Sequence, residues 1–260
     1  MSADDYLSRI TGILETIRSR EMDKIKSAAG AMARSISIEG RVYLFGSGHS
    51  VIPVMDVFPR YGSFVGFFPL YDPRLMWSNV IGPGGARELL WLERQQGYAE
   101  VFLQSYPLEP RDCMLVFSHG GLNTAPIEVA LAAKSKGLTV ISVSSLENAV
   151  TAQRTHPSGQ ILPDIADISI DNCVPPEDSL VDIGRLENVA AGSTVAAVSI
   201  AMSLVAETAS ILAEEDEVPP TFVSPNVEGV GKDHMDMVYA AFTEFYFRRP
   251  MQAPKGEGSY

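Results

Sequence analysis

The chain has 260 residues, 46 % of them apolar and 20 % charged, and a formal net charge of −12. That length admits one large α/β domain with a sizeable core. The acidic balance excludes the basic stripe that nucleic-acid binders carry, and it gives no attraction to an anionic membrane surface. An anionic ligand has to be held by local geometry, because the overall field repels it.

Residues 1–38 read as one long helix that belongs to the same domain as the rest of the chain. Tyr6, Ile10, Ile13, Leu14, Ile17, Ile25, Ala28, Met32 and Ile36 recur mostly at spacings of three and four, with charges between them. The opening MSADDYLSRI has no basic n-region and no apolar h-region, so no signal peptide is expected. Alternation then sets in. RVYLF (41–45) reads as a strand, 50–60 as a helix, FVGFF (64–68) as a strand and 69–85 as a loop. Residues 86–105 read as a helix interrupted near Gly97. CMLVFS (113–118) is a strand, 124–136 a helix ended by Gly137, and LTVISVS (138–144) a strand. ADISIDN (166–172) is the fifth strand, and VDIGRLENVA holds short strands. An Ala-rich helix follows over 193–214, then a loop or edge strand at PPTFVSPN, and a last helix over 231–247. Strands alternating with helices predict a parallel, doubly wound sheet, and continuous apolar runs suit strands covered on both faces. The main domain is expected over 39–247, with a disordered tail over 248–260.

Residues 188–206 carry no charge but are rich in Ala, Ser, Gly and Thr. They read as a buried helix in close contact with its neighbours, not as a membrane span. Cys113 and Cys173 fit no zinc or redox spacing and read as thiols in a reducing cytoplasm.

In an open parallel sheet, ligands bind beyond the carboxyl ends of the strands. Gly46-Ser47-Gly48-His49-Ser50 follows the first strand, and Ser118-His119-Gly120-Gly121-Leu122-Asn123-Thr124 follows the third. Ala191-Gly192-Ser193-Thr194 opens the Ala-rich helix. Glycine lets a ligand approach the backbone closely, and the following helix offers unpaired N–H groups at the positive end of its dipole. Hydroxyls add uncharged donors. Such a junction suits a phosphate or carboxylate. Any one of the three is equally explained by helix capping; three together point to a ligand.

Other glycine motifs fit less well. A dinucleotide fingerprint needs glycine at Val51, with Asp72 as the acid after strand two, so an NAD-dependent enzyme rests on an incomplete pattern. A P-loop lacks its GK[ST]. His119-Gly120-Gly121 as an esterase loop lacks its G-x-S-x-G elbow. HExxH is absent, and no metal or cofactor is expected.

The ordered set resembles the SIS (sugar isomerase) domain. It comprises FGSGHS, DVFPRYGS, GGARELLWLERQQGYAE, FSHGGLNTAPIEVALAAKSKGLTVISVSS, RTHPSG and FVSPN. It is similar to a bacterial branch of single SIS-domain proteins related to phosphoheptose isomerase and N-acetylmuramic acid 6-phosphate etherase. The resemblance spans roughly residues 5–240. It implies a flavodoxin-like three-layer sandwich with a five-stranded parallel sheet, and a phosphosugar ligand without a required metal. It also implies a cytoplasmic homodimer or homotetramer with sites completed across a subunit interface. In that pattern Ser47 and Ser50, with Gly46 and Gly48, contact the sugar or phosphate. Ser118, Gly120, Gly121, Asn123 and Thr124 form the phosphate turn, and Ser193 and Thr194 supply the third contact. The family turn reads S-x-S-G-x-T; here Gly120 and Asn123 stand where two hydroxyls are usual.

Isomerisation and etherase-type elimination need an acid and a base of near-neutral pKa. The candidates are His49 and His119 in the two strand-end turns, His156 beyond strand four, and Asp56 and Glu128 in the helices after those turns. Each has a plainer alternative. A loop histidine is often merely solvated, Glu128 complements a helix dipole, and Asp56 pairs with Arg60. Glu207 is a weaker candidate, and His234 reads as structural. The expected function is a sugar-phosphate isomerase or lyase; the alternative is a non-catalytic phosphosugar-binding regulator.

Overall fold

The computed structural model describes residues 2–77 and 79–253. Strands β1 (Val42–Gly46), β2 (Phe67–Pro69), β3 (Cys113–Phe117), β4 (Thr139–Ser144) and β5 (Ile168–Asp171) form one sheet in the order β2-β1-β3-β4-β5. Every pairing in it is parallel. Strand alternation sends Val42, Leu44, Leu115 and Val143 to one face, and Tyr43, Phe45, Met114 and Val140 to the other. Helices α1 (Ser2–Arg20), α2 (Met22–Ser37), α3 (Val51–Val57), α9 (Ser193–Glu214) and α10 (His234–Arg248) cover the first face. Helices α5 (Tyr98–Leu103), α6 (Thr124–Ser135) and α8 (Leu162–Ile165) cover the second. This is the expected three-layer α/β sandwich.

Several elements differ in detail from the sequence reading. The long N-terminal helix is two helices that meet at Glu21. No Gly or Pro breaks it. Glu21 is buried, and its carboxylate accepts the Asp171 backbone N–H at 3.0 Å, which ties the junction to the end of β5. Strand β2 begins at Phe67, because Phe64 instead bridges antiparallel to Thr221. The 86–105 region is α4 (Ala86–Leu92) and α5, separated as expected by Gly97 at φ +78°. Short helix α7 (Leu146–Thr151) is an additional element after β4. Strands β6 (Ser179–Val181) and β7 (Val189–Ala191) pair antiparallel beside the main sheet.

Helix α9 is long and apolar enough to cross a membrane. Its buried residues, among them Ile200, Ala201, Leu204 and Val205, instead pack in the core, where it contacts α1, α2 and α3.

The end of α10 is locked by charge. Arg41, 2 % exposed, donates from Nη2 to the carbonyls of Phe245, Tyr246 and Arg249 at 3.0, 3.0 and 2.9 Å. A guanidinium suits the negative end of a helix dipole. Arg249 grips Asp112 through two bonds of 2.9 and 2.6 Å. Order therefore runs past residue 248, the expected start of the tail; residues 254–260 lie outside the described residues.

Candidate functional site

With strand order 2-1-3-4-5, the chain reverses its winding between β1 and β3, and a crevice opens at their carboxyl ends. The turn after β1 begins at Gly46, where a Cβ would lie 2.0 Å from the Ser50 carbonyl oxygen. Gly48 sits at φ +58°, and a 3-10 turn over Gly48–Ser50 leads into α3. Gly46→Ala is expected to cost at least about 2 kcal/mol, as for other overpacked backbone contacts. Urea unfolding measures it, and a cost near zero would mean that the turn relaxes freely.

The turn after β3 closes on itself. Gly121, at φ +66°, donates its N–H to Ser118 Oγ at 3.2 Å. The Gly120 carbonyl accepts Asn148 Nδ2 at 2.9 Å. The third turn opens α9. The crevice is lined by His49 and Ser50 of the first turn, Ser118 and His119 of the second, Ser193 and Thr194 of the third, and Asn172 beyond β5. The three turns therefore converge. The water-accessible space of the crevice is about 10 Å³, room for a single water.

Two carboxylates outside the candidate set shape this place. Glu93, just past α4, is 4 % exposed. It accepts Ser47 Oγ–H at 2.8 Å on one oxygen and Asn123 Nδ2–H at 2.8 Å on the other. Its own carbonyl accepts the Ala125 N–H at 2.9 Å. Burial pushes the Glu93 carboxyl above the usual carboxylate range, against the pull of the Ser47 bond and the Arg94 charge. Asp178 caps α9, accepting the Ser193 N–H at 2.7 Å and the Ser193 Oγ–H at 2.8 Å. The donors of Ser47 and Ser193 are thus engaged within the protein. The backbone N–H groups of Gly48, His49, Gly120, Asn123 and Thr124 donate to no protein acceptor among the described residues.

Of the acid–base candidates, only His49 and His119 stand at the crevice. The His49 ring meets Trp77 edge-on at 4.5 Å. Asp56 is away from it, in an ion pair with Arg60 at 2.5 Å. Glu128 faces the opposite side of α6, where it accepts the Gly97 N–H at 2.8 Å and caps α5. His156 is there too, its Nε2 4.0 Å from Glu128, and both border a separate, wider cleft. Asp72 is buried and held by Arg74 and Tyr98, so it is no free partner for a ribose. His234 Nε2–H donates to the Thr221 carbonyl at 2.8 Å, a structural contact. Nothing local in the sequence marks Glu93 or Asp178, because their partners are distant in the chain.

Fold and crevice define a doubly wound α/β protein with a crevice at the switch point of the sheet. The chain belongs to the SIS-domain family, whose signature matches residues 5–145. A UPF0309 protein of Listeria monocytogenes is 34 % identical over 236 residues, covering 90 % of this chain and 94 % of the relative. A UPF0309 protein of Geobacillus kaustophilus is 36 % identical over 227 residues, covering 87 % and 88 %. Among solved structures, a phosphoheptose isomerase from Neisseria gonorrhoeae superposes with a TM-score of 0.55 at 11 % identity, over 80 % of this chain and 97 % of that one. A phosphoheptose isomerase from Francisella tularensis gives 0.51 at 13 % identity, over 79 % and 95 %. At these identities the structures establish the fold.

Proposed function

We propose that the crevice binds a phosphorylated sugar and that the protein is a cytoplasmic, homo-oligomeric sugar-phosphate isomerase or etherase-type lyase. The observation that carries this is the convergence of three glycine-hydroxyl turns at the switch point, with uncommitted backbone N–H groups on two of them. These donors hold an anion without a lysine, which suits a chain of net charge −12. With Ser47 and Ser193 engaged by Glu93 and Asp178, the phosphate contacts fall to the amides of the first two turns and to the hydroxyls of Ser50, Thr124 and Thr194. A sugar phosphate is too large for the crevice itself. It lies across the mouth with one oxygen entering the crevice, and a second subunit completes the site. His49 and His119 border the crevice, His49 as the candidate base and His119 as a candidate donor to the ligand.

A second reading, a phosphosugar-binding regulator without chemistry, is favoured by one observation. Asp56 and Glu128 are committed elsewhere, and both Glu93 oxygens are hydrogen-bonded. Thermal-shift assays with aldose, ketose and amino-sugar phosphates test the binding. We expect stabilisation by at least one; none from the whole panel refutes the reading. NMR in deuterated water then separates the two versions. Exchange of the C2 proton of a bound sugar phosphate supports the enzyme, and binding without exchange supports the regulator.

A further inference from the structure

His119 has one ring nitrogen engaged and one unmatched. Its Nδ1 lies 3.1 Å from Asn172 Nδ2. The Asn172 amide is oriented by its other end, since Oδ1 accepts the Val174 backbone N–H at 3.0 Å. Turning the amide over would set an NH2 group against that N–H. So Nδ2 is the donor and His119 Nδ1 the acceptor, and a neutral imidazole that accepts at Nδ1 carries its proton on Nε2. Both residues are firmly rooted. Asn172 is 1 % exposed and donates its own N–H to the Ser144 carbonyl at 2.9 Å, and the His119 carbonyl accepts the Ser145 N–H at 2.8 Å. Nε2 itself is buried and has no protein partner among the described residues. Buried donors are seldom left unmatched, and this one belongs to a ring that borders the crevice.

We propose that Asn172 is a positioning residue that locks His119 as an Nε2–H donor for an oxygen of the bound ligand. The inference rests on the sugar-phosphate reading and sharpens it. His119 offers a hydrogen bond to an anionic oxygen and takes no proton from a substrate carbon at Nε2. Base chemistry in the crevice then falls to His49.

The test reads the ring directly. Long-range 1H–15N spectra of the 15N-labelled full chain are expected to show His119 in the Nε2–H form. In Asn172→Asp, whose carboxylate accepts from both Val174 and the ring, the Nδ1–H form is expected. Saturation with inorganic phosphate, and with a sugar phosphate that stabilises the protein, is expected to move the His119 Nε2–H resonance. Asn172→Asp and His119→Phe should each weaken binding at least about tenfold, the scale of one hydrogen bond to a charged group. His119→Gln, which keeps an N–H donor, should stay within about threefold of wild type. An Nδ1–H ring in the wild type overturns the proposal, as does an Nε2–H resonance indifferent to bound ligand, or His119→Gln falling as far as His119→Phe. Failure of the wild type to bind phosphate or any sugar phosphate removes the functional reading and the ligand role with it; the spectra still decide whether Asn172 sets the tautomer.

Discussion

Glu93→Ala is expected to disorder the first two turns together and to weaken sugar-phosphate binding by about a hundredfold, twice the free energy of one charge-assisted hydrogen bond. The carboxylate is what joins them, one oxygen on Ser47 and the other on Asn123. Removing it leaves a hydroxyl and an amide donor without acceptors in a place that water barely reaches, at about 1–3 kcal/mol each. Glu93→Gln tests the same link more gently. Asn123 donates to the new carbonyl oxygen, the new NH2 donates to Ser47 Oγ, and the fold is kept. The pH dependence has a definite sign. Burial raises the Glu93 value in the folded protein above its ordinary 4.5. The folded state therefore binds the proton more tightly than the unfolded one. That contribution to stability is fully present below the ordinary carboxylate range and is lost as pH rises through the raised value. Urea unfolding of wild type and Glu93→Gln between about pH 4 and 8 should show a fall in the wild type that the variant lacks. Parallel curves would mean that Glu93 does not titrate as a buried acid.

Asp112→Ala is expected to destabilise the protein by about 3–5 kcal/mol and to release α10, because it strands the buried Arg249 guanidinium and leaves the Arg41 backbone N–H without its acceptor. Asp112 accepts the Arg41 backbone N–H at 2.8 Å and both Arg249 bonds, and its side chain is 0 % exposed. Without it, Arg249 keeps a contact with Glu109 at 3.0 Å but loses its inner partner. The double variant Asp112→Leu/Arg249→Met should recover part of the loss, since an apolar pair is often tolerated where half an ion pair is not. Urea unfolding gives the energies, and limited trypsin digestion reports the release of α10. A loss below about 1 kcal/mol would place the pair among weak surface bridges.

The parts of this molecule that were legible in its sequence are those governed by local rules. Most of the core strands announced themselves as apolar runs and the fifth by alternation, and Gly46, Gly97 and Gly137 marked turns where backbone geometry demands glycine. The break at Glu21 was hidden because its cause, the Asp171 N–H, lies at the far end of the chain. The site was half visible for the same reason. The turn residues are contiguous, so their convergence followed from the sheet order. The acids that occupy their donors come from other segments, Glu93 from beyond α4 and Asp178 from beside β6. The position of Glu128 also turned on direction. It is on the expected helix, but its side chain points to α5 and away from the crevice.

Asp178 has a further consequence. A helix that must borrow its counter-ion from solution is poised only when that ion arrives, and its opening turn frays in between. Here the counter-ion is welded into the chain, so the start of α9 keeps one shape whether the neighbouring hollow is vacant or filled. Arrival of a guest then spends little free energy on rearranging this wall.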